Sequence, residues 1–294
     1  MIKTALAFSA VLTVCAAAVA QAQTPAADEP VAQTFHIGAF EVTALRDKVN
    51  NLPNDGKVFG AEVGTQAVAE VLAAAGAPTD KITLGVDALL VKDGSKKILI
   101  DTGLGPSVKG LLIPSLAKAG YGPEQITDVL ITHVHRDHIG GLVTADGVQA
   151  FPKAVVQISA PDWKWLQGQA DMAALIKVIT PQVKTFAPGD AVAPGIRSVP
   201  LKGHTPGHVG YQITSGKDRL LDVGDLAHSS IISLAKPDWT ITFDNDRDEG
   251  VATRRKELTK LAADHETIFA PHFPFPGVGK IVAEGDHFVW QPAK

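Results

Sequence analysis

Cysteine is almost absent from this chain: the single residue, Cys15, lies in an apolar run near the N-terminus. Lys3 precedes that run, and small residues at Ala18, Ala20 and Ala22 end it, a pattern typical of a cleaved export signal. We therefore predict a signal peptide over residues 1–22 and a periplasmic or secreted location. A membrane anchor is the alternative, but the run of about 16 apolar residues falls short of the ~20 that a spanning helix needs. The mature chain would then have neither a disulfide nor a cysteine metal ligand.

Clusters of basic residues are also missing. The formal net charge is -4, and no stretch of five consecutive Lys or Arg residues occurs. Because the phosphate backbone is held mainly by such charges, nucleic acid is excluded as a partner. We expect a small-molecule substrate and no membrane span after signal cleavage, in a protein that is either a monomer or a homodimer.

The organisation after the signal indicates one α/β domain. Residues 23–34 are rich in Ala and Pro without periodicity, which predicts a flexible lead-in before a single domain over residues 35–294. Residues 35–45 alternate as one strand, and strand-like and helix-like segments then interleave in both halves. A doubly wound sheet and a sandwich of two sheets both fit this alternation. No glycine-rich phosphate loop follows the first strand, which favours the sandwich.

A dense group of potential metal ligands follows the predicted strand at residues 126–132. Side chains two apart in an extended segment point the same way, so His133, His135 and Asp137 are expected on one side, with His138 turning aside as a helix begins. Imidazole and carboxylate are ligands for borderline metals such as zinc. A solvated polar loop is the alternative, but four such residues within six positions favour a metal site.

This motif resembles the His-x-His-x-Asp-His signature of the metallo-β-lactamase superfamily. Three further motifs follow in the order typical of that family: Gly203-His204, Gly224-Asp225 and Pro271-His272. The resemblance implies a four-layer αββα sandwich with the active site at one edge between the two halves.

Carried over by position, the resemblance implies two metal sites. The first would use His133, His135 and His204, the second Asp137, His138 and His272, and Asp225 would bridge the two metals. Zinc is the default for a His-rich site, and Mn, Fe or Co are the alternatives. A hydroxide shared by the two metals would be the nucleophile, and Asp137 would pass a proton to the leaving group.

A narrower resemblance concerns the substrate. The blocks at residues 38–45, 271–279 and 284–290 are similar to the exported methyl parathion hydrolase and lactonase branch. They imply a lactonase or esterase that also acts on organophosphate triesters. A β-lactamase and a non-catalytic metal-binding protein that retains the fold are the alternatives.

Five residues near these motifs have predicted roles of their own. His228 stands where the lactonases have a Tyr that polarises the substrate carbonyl, so we predict a catalytic His228, with a solvent-facing residue as the alternative. Asp101 is expected either to orient a ligand or to form a turn. His208 is expected beside the metals but not bound to them. Phe273 is predicted to line the substrate pocket, and Arg136 either contacts an anionic substrate group or faces solvent.

Overall fold

The protein was analysed as a computed structural model that describes residues 31–293. The predicted signal peptide over residues 1–22 lies outside the described residues, as does most of the predicted lead-in. The first strand begins at Ala32, three residues before the predicted start of the domain. Among residues 31–293, no helix combines the length and the apolar character required to cross a membrane.

Two seven-stranded sheets form the centre of the molecule, and each half of the chain builds one of them. The first sheet, with its strands side by side in chain order, contains β1 (Ala32–Ile37), β2 (Phe40–Pro53), β3 (Lys81–Asp93), β4 (Lys96–Ile100), β5 (Asp128–Leu130), β6 (Val155–Ser159) and β7 (Val183–Phe186). The second sheet contains β8 (Ala191–Ala193), β9 (Ile196–Pro200), β10 (Val209–Ser215), β11 (Asp218–Asp222), β12 (Thr267–Phe269), β13 (Val278–Glu284) and β14 (His287–Pro292).

Helices cover the outer faces of the sheets. They are α1 (Thr65–Ala74), α2 (Leu112–Lys118), α3 (Arg136–Ile139), α4 (Ala160–Gln167), α5 (Ala173–Ile179), α6 (Ile232–Ala235) and α7 (Arg247–Asp264). Leu116 and Leu166 pack from α2 and α4 against the first sheet, and Leu258 and Leu261 pack from α7 against the second. This layering confirms the predicted αββα sandwich.

The central core lies between the two sheets. Val42 and Ile100 of the first sheet pack with Tyr211 and Ile213 of the second, and all four are fully buried. Each such aliphatic side chain contributes roughly 2 kcal/mol by leaving water. The two halves of the chain are therefore held together by apolar contact, and the loops at the sheet edges are free to carry function.

The prediction of one strand over residues 35–45 is wrong. The chain reverses at Gly38, so β1 and β2 form an antiparallel hairpin with Ile37 opposite Phe40. Gly38 has φ 56°, and a Cβ there would lie 2.5 Å from the carbonyl oxygen of Ser215. Only glycine tolerates both conditions, and the continuous alternation on either side conceals the turn.

Strand direction brings the predicted motifs to one edge of the sandwich. β4, β5 and β6 are parallel in the first sheet, and β11 and β12 are parallel in the second. The loops after β5, β9, β11 and β12 carry the four motifs. Because the carboxyl ends of parallel strands share an edge, residues far apart in sequence meet there.

Candidate metal centre

The loop after β5 changes from extended chain to helix within the His-rich motif. His135 has an extended backbone, with φ -72° and ψ 156°, and α3 begins at the next residue. The predicted alternation therefore applies to His133 and His135 but does not reach Asp137, which lies in the first turn of α3. As a result, Asp137 groups with His138 and His272 instead of with the two earlier histidines.

Glycines 140 and 141 allow this loop to lie against a neighbouring one. A Cβ on Gly141 would lie 2.0 Å from the carbonyl oxygen of Thr102, and one on Gly140 would lie 2.3 Å from that of Leu104. Gly140 has an ordinary helical φ of -61°. Glycine is therefore needed at both positions because the two backbones lie so close together. The backbone angle of Gly140 is one that any residue can adopt.

Three imidazole nitrogens face one another in the first cluster, defined as His133, His135 and His204. His135 Nδ1 is 3.1 Å from His133 Nε2 and 2.8 Å from His204 Nε2, and the latter two are 3.2 Å apart. A tetrahedral zinc ion with bonds of about 2.05 Å would separate its nitrogen ligands by roughly 3.3 Å. The cluster therefore fits one cation.

The second cluster is defined as Asp137, His138 and His272. The Nε2 atoms of His138 and His272 each lie 3.8 Å from Asp137 Oδ2. Both nitrogens are buried and make no hydrogen bond within the described residues. Since buried polar atoms are normally satisfied, these two also fit a cation that receives their lone pairs.

Asp225 lies between the two clusters and directs one oxygen toward each. Its Oδ2 is 3.1 Å from His204 Nε2 and 3.4 Å from His133 Nε2. Its Oδ1 is 3.2 Å from His138 Nε2 and 3.0 Å from His272 Nε2. A carboxylate in this position can hold two cations at once.

Electrostatics around the clusters suits cation binding. Burial lowers the pKa of His135 to about 3, so its ring is neutral at pH 7. Burial disfavours the charge on Asp225, but the surrounding His138 and His272 outweigh it and hold the pKa of Asp225 well below its usual range. Burial opposes the charge on His272, but Asp225 outweighs it and raises the pKa of His272 to about 9. The ionised carboxylate suits a divalent cation, which would displace the proton of this imidazole on binding.

Hydrogen bonds behind the clusters fix the ring orientations. His138 Nδ1 donates to Asp101 Oδ2 at 2.7 Å, His204 Nδ1 donates to Asp244 Oδ1 at 2.8 Å, and His272 Nδ1 donates to the Gly85 carbonyl at 2.7 Å. Each bond leaves the Nε2 lone pair directed into the site. Of the two interpretations of Asp101, the structure supports the one that orients a ligand.

A family model for the metallo-beta-lactamase superfamily matches residues 82–272, which is about two thirds of the chain. The matched range contains the six residues of the two clusters and also Asp225. The chain belongs to this superfamily. The uncharacterised protein YobT of Bacillus subtilis strain 168 is 30% identical over 209 residues, which cover 67% of this chain and 84% of YobT.

Lactonases are among the similar proteins. The dizinc quorum-quenching lactonase AidC, solved with the product N-hexanoyl-L-homoserine, has a TM-score of 0.84 at 28% identity and covers 90% of this chain and 99% of its own. An N-acyl homoserine lactonase of a Bacillus species is 27% identical over 48% of this chain and 62% of the lactonase. The narrower resemblance to the methyl parathion hydrolase branch stays a prediction.

His228 lies inside the superfamily site and not at its rim. It is 2% exposed, and its ring stacks on His272 at 5.1 Å and 9°. Its Nε2 is 3.0 Å from Asp225 Oδ2, yet neither ring nitrogen makes a hydrogen bond within the described residues. Burial lowers its pKa to about 4, so the ring is neutral at pH 7 and can donate one N–H. The solvent-facing alternative for His228 is wrong.

His208 supports the site from behind. Its Nδ1 donates to the Leu201 carbonyl at 2.7 Å, and its Nε2 accepts from the Asp225 backbone N–H at 3.0 Å. Because both nitrogens are used, no lone pair remains for a metal. This agrees with the prediction that His208 lies beside the metals without binding them.

The other side chains near the motifs divide between surface and core. Arg136 is exposed and pairs with Asp171 at 2.7 Å on the surface, which supports its solvent-facing interpretation. Phe273 was predicted to line the pocket, and this is wrong: it is fully buried, with its ring 5.0 Å from that of Trp290. Phe273 lies in the turn between β12 and β13, and its side chain packs into the core beneath the second sheet.

Two residues of the second half that contact site histidines were not predicted, and both lie on the segment before α7. Asp244 holds His204, and its Oδ2 receives a 2.8 Å bond from the buried guanidinium of Arg254. Phe243 is 45% exposed, with its ring 6.2 Å from that of His228. The segment has no recognisable motif, and its position becomes clear only when the chain is folded.

Proposed function

We propose that this protein is an exported hydrolase that binds two divalent cations, zinc by default, and cleaves lactone or other ester bonds of small molecules. The observation that carries the proposal is Asp225, whose two oxygens face two separate groups of ligand atoms. His133, His135 and His204 would hold the first cation, and Asp137, His138 and His272 the second. The similarity to the dizinc lactonase AidC supports the same conclusion.

When bound, the two cations supply a hydroxide nucleophile at neutral pH and a Lewis acid for the substrate oxygen. The residues of the chain supply the remaining functions. The Asp137 side chain is 29% exposed, so its carboxylate can contact both substrate and solvent. We assign it the transfer of a proton to the leaving group.

Aromatic rings beside the clusters offer an apolar surface for the substrate. Trp165 is half-buried, with its ring 5.9 Å from that of His135, and Phe243 is exposed near His228. His135 and His228 both lie next to the ring of His204. An acyl chain or an aryl group attached to the scissile ester can contact these rings. Organophosphate triesters present the same combination of polarised oxygen and apolar substituents, and we include them as a second substrate class.

The test of this proposal is metal analysis of the purified protein together with hydrolysis rates for four substrates. These are a γ-lactone, an aryl ester, a phosphotriester and a cephalosporin. We expect about two metals per chain and the fastest turnover with the lactone or the aryl ester. Faster cephalosporin hydrolysis would favour a β-lactamase, and bound metal without any turnover would favour a binding protein.

We expect His228→Ala to lower kcat roughly 100-fold, because removing one hydrogen-bond donor to a developing oxyanion has an effect of this size in other enzymes. The ring is neutral, and its Nε2 lies 3.0 Å from Asp225 Oδ2 beside both clusters, so its N–H can donate to a substrate oxygen bound there. The measurement is kcat and metal content side by side, with His228→Gln as the variant that keeps an N–H donor. Metal content should stay near two in both variants. An unchanged kcat in His228→Ala would contradict a catalytic His228.

A further inference from the structure

The N-terminus of α4 lies between the two loops that supply the first cluster. Ser159 caps this helix by accepting a 3.3 Å bond from the backbone N–H of Asp162. The Ser159 hydroxyl also donates to the Gly207 carbonyl at 2.7 Å, in the loop that follows His204. The helix start therefore contacts a loop from the other sheet.

Asp162 makes the stronger connection. Its Oδ2 accepts from the Val134 backbone N–H at 3.2 Å and from the Thr205 hydroxyl at 2.8 Å, and its Oδ1 accepts from the Gly207 backbone N–H at 2.6 Å. The residue is 1% exposed. A buried carboxylate is costly unless several donors satisfy it, and here three donors do so.

The three donors lie on the two loops that carry the first cluster. Val134 lies between His133 and His135 on the loop from the first sheet, and Thr205 follows His204 on the loop from the second. The close packing leaves no room at Gly207, where a Cβ would lie 2.2 Å from the Ser159 hydroxyl oxygen. Asp162 thus joins the two loops by hydrogen bonds, and the close packing at Gly207 fixes the distance between the His204 loop and the start of α4.

The second cluster has a different support. His138 is held by Asp101, and His272 is held by the Gly85 carbonyl. Neither of these bonds involves Asp162 or its three donors. The loss of Asp162 should therefore affect the two clusters unequally.

We propose that Asp162 is a positioning residue for the first metal site, which it forms by fixing the His133–His135 loop to the His204 loop. This inference rests on the metal centre of the proposed function. Asp162 does not contact the metal or the substrate, and it acts through the backbone of Val134 and through Thr205 and Gly207.

Asparagine is an informative replacement because it has the same shape but only one acceptor oxygen. If the amide nitrogen takes the place of Oδ1, it opposes the N–H of Gly207. If it takes the place of Oδ2, it opposes the N–H of Val134. In either orientation two donors face each other, so at least one of the three hydrogen bonds that join the two loops is lost.

The experiment is a zinc and cobalt titration of the metal-free full chain as wild type, Asp162→Asn and Glu266→Gln. Glu266 is a buried carboxylate that accepts from Gln212 and Arg219 at the start of β12, on neither metal loop. We expect Asp162→Asn to weaken one of the two sites about 10- to 100-fold, with the other site unchanged and kcat restored at saturating metal. Glu266→Gln should leave both sites unchanged.

Unchanged affinity at both sites, or equal weakening of both, would overturn the role of Asp162. If Asp162→Asn does not fold, Thr205→Val removes one of the three bonds with little change in volume and should weaken the same single site by a smaller factor. A wild-type protein that binds fewer than two metals would contradict the proposed function itself and not the role of Asp162 alone.

Discussion

Asp225→Asn should lower kcat/KM roughly 1,000-fold, since losing a Lewis-acid contribution of about 4 kcal/mol has that effect on rate. Asp225 is the residue that faces both clusters, with Oδ1 at 3.0 Å from His272 Nε2 and Oδ2 at 3.1 Å from His204 Nε2. Asparagine keeps the volume but replaces one charged oxygen by an N–H group, which cannot bind a cation. The measurement is kcat/KM with metal content by elemental analysis.

The matched control for Asp225→Asn is Asp238→Asn, which removes an exposed carboxylate paired with Arg255 on the surface. Surface ion pairs contribute little, so this variant should behave as wild type. Full activity of Asp225→Asn with two metals bound would exclude a bridging role for this residue.

His204→Ala should remove or weaken the first metal and reduce hydrolysis by at least ~100-fold, because the ligand set that generates the hydroxide becomes incomplete. The same change leaves Asp244 without the imidazole that donates to it at 2.8 Å, although Arg254 still pairs with that carboxylate. We expect metal content to fall from about two per chain toward one. His287→Ala, which truncates an imidazole outside both clusters, is the control. Retained metal together with a retained rate would rule out His204 as a ligand.

The resemblance of four short motifs to the metallo-β-lactamase superfamily predicted the sandwich, and it singled out seven residues that the structure brings together. Asp162 and Asp244 could not be found in this way. Asp162 resembles any acidic residue in the first turn of a helix, and its contacts with Val134 and Gly207 depend on how β6 and β9 are placed. The role of Asp244 depends on a segment 40 residues beyond His204 in the chain.

The incorrect predictions for Phe273 and Gly38 have a common physical origin. Phe273 and the β1–β2 turn at Gly38 were misjudged because local pattern does not report which neighbour occupies the space beside a residue. For the same reason the sequence allows two interpretations of Arg136 and two of His228. Burial decided both, since Arg136 lies at the surface and His228 is enclosed.

The division of the ligands between the two halves of the chain has a thermodynamic consequence. His133, His135, Asp137 and His138 come from the first half, whereas His204, Asp225 and His272 come from the second. A cation held by both sets acts as a reversible cross-link between the sheets, and a cation present at 100 times its Kd adds about 2.7 kcal/mol per site to the free energy of unfolding. The free metal concentration around the protein would then set the fraction of its molecules that is folded as well as its catalytic rate.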